Sequence, residues 1–156
     1  MYSTILLLHS WLRWLALVAG VGATFAASGR SDGTQQRFQG LQGAERWGLI
    51  FMITLDVQML LGLLLYGVLS PYTAAAMNDF SAAMREPVLR FWAVEHLTMM
   101  LSAVVLVHVG RVLARKTVDV DKKRQRLLIC FGLAVLLMLL GMPWPGMADG
   151  RPLFRV

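Results

Sequence analysis

The chain has 156 residues, is 57% hydrophobic and only 15% charged, and has a mean hydropathy of +0.60. A water-soluble domain of this length is less apolar and more charged, so the composition predicts an integral membrane protein. The apolar residues fall in four long blocks rather than amphipathic stripes, which predicts an all-α four-helix bundle forming a single transmembrane domain over residues 1–156. A net charge of +6 would suit nucleic acid, but the basic residues sit mainly in one short loop between apolar blocks. That placement is a topology signal, and no nucleic-acid partner is expected. The single cysteine, Cys130, lies inside an apolar block, forms no intrachain disulfide and has no metal-ligand spacing.

The first predicted helix covers about residues 4–27. Met1–Leu8 contains no Lys or Arg, and His9 and Arg13 interrupt the apolar run, so this block reads as a retained helix rather than a cleaved secretory signal. A polar connector, Ser28–Arg46, precedes a second helix at about 47–69, which carries Thr54, Asp56 and Gln58 and ends at Ser70-Pro71. Tyr72–Glu86 reads equally as a short surface helix or a loop. Pro87 suits the first turn of a third helix at about 88–114, which encloses Glu95, His96 and His108. A basic run follows, then a fourth helix at about 127–142, short enough that flanking arginines must snorkel or the helix must extend. Pro143-Trp144-Pro145 stops it.

Arg30, Arg37 and Arg46 lie in the first connector, and Arg111, Arg115, Lys116, Lys122, Lys123, Arg124 and Arg126 lie in the third. The opposite side holds only Arg85, Arg90, Arg151 and Arg155. The positive-inside rule then makes the basic loops cytoplasmic and places both termini on the outer, periplasmic side of a bacterial inner (cytoplasmic) membrane.

Ionisable groups inside apolar spans are costly, so they are paired or used. His9 lies about 8 Å and His96 about 12 Å from the outer side at ~1.5 Å per residue, so the two can face each other at one level. His108 is ~18 Å further along and rotated by ~120°, with no second histidine at its level; a structural role or a dimer contact suits it better. Two facing imidazoles in a bundle interior suit one haem b. Two neutral histidines bonded to nearby polar groups, or a non-metal functional pair, are the alternatives. For the propionates, Arg13 at i+4 from His9 competes with Arg85 and Arg90. Arg13 also has Asp56 as an ion-pair partner near mid-membrane, with Gln58 and Thr54 completing the hydrogen bonding. Glu95 has three roles open to it: pairing with Arg13, orienting an imidazole, or relaying a proton. Arg13, Asp56, Gln58 and Glu95 are therefore expected to form an intramembrane polar network. Trp92, one turn before His96, is placed to wall a cofactor or quinone pocket, whereas Trp47 and Trp144 fit an aromatic belt. Met99 and Met100 read as core gap-fillers, with axial ligation as the sharper alternative.

HSWLRW at His9–Trp14, RFWAVEHLTMM at Arg90–Met100 and MPWP at Met142–Pro145 resemble a group of short bacterial four-helix membrane proteins described as cytochrome b-like. The resemblance implies a haem role for His9 and His96. Di-haem membrane cytochromes use four histidines in two layers; three histidines here allow at most one bis-histidine haem per subunit. The expected function is membrane electron transfer to or from quinone or other membrane or periplasmic redox subunits. The rivals are a cofactor-free accessory subunit of a larger membrane complex, and a proton-linked carrier using Asp56 and Glu95.

Overall fold

The computed structural model describes residues 1–29, 34–148 and 150–154, with the side chains of residues 34–38 left aside. Among the described residues it is helical throughout, without a strand. The elements are α1 (Tyr2–Ser28), α2 (Thr34–Leu64), α3 (Pro71–Asn78), α4 (Phe80–Ala83), α5 (Pro87–Arg90), α6 (His96–Arg115) and α7 (Val120–Leu140). Two π-helical turns interrupt the series, Leu65–Leu69 after α2 and Phe91–Glu95 between α5 and α6. In the first, the Ser70 N–H donates to the Leu65 carbonyl at 2.7 Å; in the second, the His96 N–H donates to Phe91. Both are the i→i−5 bond that widens a helix by one residue.

Among the described residues three stretches are long and apolar enough to cross a membrane: Tyr2–Ser28, Gln39–Leu69 and Pro87–Arg115. The expected fourth span differs. Helix α7 begins at Val120, about two turns before Leu127, because Asp119 accepts a hydrogen bond from the Lys122 N–H at 2.9 Å and caps it. Its first turns therefore carry Lys122, Lys123, Arg124 and Arg126, and its apolar part is confined to Leu127–Leu140. Helix α2 also starts earlier than expected, at Thr34, inside what reads in sequence as a polar connector. The Tyr72–Glu86 stretch resolves into α3 and α4, capped by Ser70 and Asp79. Arg30, Asp32 and Arg155 lie outside the described residues.

Helix α1 packs on α2 and α7, and α6 on α7 and α2. Small residues make the close approaches possible. Ala16, Ala19, Gly20, Ala23 and Ala27 form the buried face of α1. A Cβ on Gly20 would stand 2.8 Å from Phe51 Cζ, and one on Gly48 2.5 Å from Phe131 Cζ. Phe51 and Phe131 meet edge to face at 6.0 Å in the centre of the core, with Leu55, Val107 and Leu127 around them. Outward-facing side chains such as Leu15, Val18, Ile53, Leu60, Val105 and Leu136 are apolar as well. Such a surface suits contact with lipid.

One end of the molecule is basic. There the buried Arg124 donates to the Ala27 carbonyl at the end of α1, Arg111 donates to the Glu45 carbonyl, and Lys123 pairs with Glu45. At the other end the tail after α7 turns back onto α1. The Arg151 N–H donates to the Pro143 carbonyl at 3.1 Å, closing a loop with Gly146 in the left-handed region at φ 92°. Gly150 is equally required, since a Cβ there would lie 2.6 Å from the Trp144 carbonyl oxygen. Arg13 and Trp14 then both donate to the Leu153 carbonyl at 3.0 Å, and Phe154 stacks on Trp14 at 5.4 Å.

Candidate functional site

Between α1, α2, α6 and the tail lies a cavity with an enclosed volume of about 110 Å³ that opens to the surface. Its walls bring together His9, Arg13, Gln58, Trp92 and His96, five of the residues singled out in the sequence. They also include Arg151, which the sequence reading treated only as a topology charge. Among the described residues no carboxylate lines it.

The two imidazoles meet edge to face, with ring centroids 6.4 Å apart and planes at 66°. Imidazole nitrogens ligate a first-row metal at about 2.0–2.1 Å, so two rings on opposite sides of one ion have centroids about 6.3 Å apart. His96 is oriented by the protein. Its Nδ1 lies 2.7 Å from the Gly141 carbonyl oxygen, and because a carbonyl only accepts, Nδ1 carries the proton. In that tautomer the lone pair is on Nε2. His9 is held differently. Its Nδ1 is buried without a hydrogen-bond partner among the described residues, and the ring rests against Gly62, where a Cβ would come within 3.2 Å of His9 Cε1. The backbone beneath it is fixed by Gln58, whose Nε2 donates to the His9 carbonyl at 3.0 Å.

Trp92 packs on His96 at 5.5 Å and on Tyr72 at 6.1 Å, forming one wall. Tyr66, in the first π-turn, donates its hydroxyl proton to the Ala93 carbonyl in the second at 2.9 Å. The two widened turns are thereby joined where they shape the cavity. Arg151 extends over Tyr72 and Trp92, its guanidinium carbon 4.8 and 5.3 Å from the ring centroids.

The polar network expected from the sequence is divided among separate partners. Asp56 meets His108 Nε2 at 3.5 Å on the outer surface of α2 and α6, where both side chains are about two-fifths exposed, at 40% and 45%. His108 Nδ1 lies 3.0 Å from the Val104 carbonyl, which only accepts, so Nδ1 is the donor there. Glu95 pairs with Arg90 at 2.6 Å. These residues are five apart and meet because the intervening turn is π-helical. Only Gln58 and Arg13 of the four reach the cavity. Of the three arginines considered for a ligand's acid groups, Arg13 lines the cavity, Arg90 is held by Glu95, and Arg85 is exposed away from it. Met100 also lines the cavity, and Met99 packs at Gly141.

The group that a histidine pair of this kind implies can be tested against these residues. Two imidazoles 6.4 Å apart, one with a defined tautomer, would suit the nitrogen ligation of a haem; the aromatic and aliphatic walls would suit a flat apolar body; and the guanidinium groups of Arg13 and Arg151 would suit ionised acid groups. Among the described residues no cluster of three or more His, Cys, Asp or Glu side chains forms a conventional metal site. Comparison with protein-family models, curated proteins and solved structures returns no match to the chain.

Proposed function

We propose that this chain is a membrane electron-transfer protein that holds one haem b between His9 and His96. The observation that carries the reading is the 6.4 Å separation of the two imidazoles in a cavity that Arg13 and Arg151 also line. The haem would supply one-electron redox chemistry. The protein's part is to supply neutral imidazoles, to fix the His96 tautomer through Gly141, to exclude water with Trp92, Leu97 and Met100, and to balance acid groups with Arg13. In this reading α1, α2, α6 and α7 form a four-helix bundle in a bacterial inner membrane, with the basic loops cytoplasmic and the cavity near the periplasmic face. Quinone or another redox subunit exchanges the electron.

A reduced-minus-oxidised visible spectrum of the detergent-purified protein, with haem quantified per chain, tests this. The expected result is a b-type α-band at close to one haem per chain, abolished by His96→Ala or His9→Ala while the protein stays folded. A flat spectrum after expression with ample haem would favour the cofactor-free accessory subunit.

A further inference from the structure

Arg151 is placed unlike the other basic side chains. It comes from the tail, yet it lines the same cavity as His9 and His96. Its guanidinium lies over two aromatic rings, Tyr72 and Trp92, and meets no carboxylate among the described residues. Aromatic faces orient a cation without neutralising it. A planar fork held in this way retains its N–H donors for a carboxylate or phosphate. The loop that carries it is tightly specified. Gly146 and Gly150 permit the turn, the Arg151 N–H closes it on Pro143, and Leu153 is fixed by Arg13 and Trp14. Arg13 thus spends one N–H on the tail, which leaves Arg151 as the cavity cation least committed to the protein.

We infer that Arg151 is the anchor for an acid group of the cavity's ligand, with tail residues 143–148 and 150–154 acting as the strap that holds this anchor over the site. The inference rests on the haem reading and names the propionate end of that ligand. It makes Arg151 a binding residue and Gly146, Gly150, Trp14 and Phe154 positioning residues.

The test compares haem b with its dimethyl ester, which has the same macrocycle without ionised acid groups. Transfer of each from the purified full-length protein to excess apomyoglobin is timed for wild type, Arg151→Gln and Arg151→Lys. Wild type is expected to lose the ester faster than haem. Arg151→Gln is expected to lose haem about tenfold faster than wild type, the scale of one charge-assisted hydrogen bond, with the α-band unmoved and ester loss unchanged. Arg151→Lys is expected to fall between the two, since it keeps the charge but not the fork, and carries the comparison should Arg151→Gln fail to fold. Equal haem loss from wild type and Arg151→Gln overturns the assignment, as does equal acceleration of haem and ester, which would make Arg151 structural. A wild-type protein that takes up neither compound overturns the haem reading and this assignment together.

Discussion

His96 gives its Nδ1 proton to the carbonyl of Gly141 across 45 positions of sequence, at 2.7 Å. The end of α7 thereby sets the tautomer of a side chain on α6. Gly141 is itself tightly enclosed: an added Cβ would meet Met100 Cε at 2.6 Å, Met99 Cβ at 3.1 Å and the Leu137 carbonyl at 3.2 Å. The Met100 tip can swing aside, but Met99 Cβ and the backbone cannot. Gly141→Ala is therefore expected to cost about 1–3 kcal/mol through overpacking and to displace the His96 acceptor. Denaturation in detergent checks the first effect, and a shifted α-band or altered redox potential checks the second.

On the opposite side of the cavity, Gly62 sets the position of His9. A methyl group there must push the imidazole back by a few tenths of an ångström. Gly62→Ala is expected to leave the fold intact and to weaken retention of the ligand, read as faster haem loss with little change in thermal midpoint. A variant as retentive as wild type would show that His9 is not fixed from this side.

The Asp56–His108 pair lies on a surface that is otherwise apolar. Removing one member leaves the other facing lipid alone, whereas replacing both with leucine removes the mismatch. A double-mutant cycle with Asp56→Leu and His108→Leu is expected to show a coupling of about 0.6 kcal/mol, and not above about 1.7. Zero coupling in detergent unfolding would mean that the pair contributes nothing to the fold.

Helix α7 depends on the capping residue just before it for its length. Asp119→Ala removes the side-chain acceptor for the Lys122 N–H and is expected to cost about 1 kcal/mol, with fraying confined to the residues before Leu127. Hydrogen exchange localised to that turn checks it.

What the sequence made legible follows from rise per residue. Counting inward from the outer ends put His9 and His96 at one level, and their rings lie 6.4 Å apart. Rotation was equally available and decides Asp56. Gln58 faces α1, where it bonds the His9 carbonyl; two residues earlier on the same helix is ~200° away, so Asp56 turns from α1 and from Arg13 toward α6. Glu95 was not legible in the same way. Its partner Arg90 is five residues back, and only the π-turn aligns that spacing. Arg151 left no periodic signal at all, because it sits on an irregular loop whose path is set by glycine conformations and by contacts to residues some 140 positions earlier.

The cavity draws its walls from Tyr2 to Arg151, and the tail is fastened to the first helix. Residues some 140 positions apart must therefore meet before the enclosure exists, so the cavity belongs to the assembled helices and tail together and to no single segment.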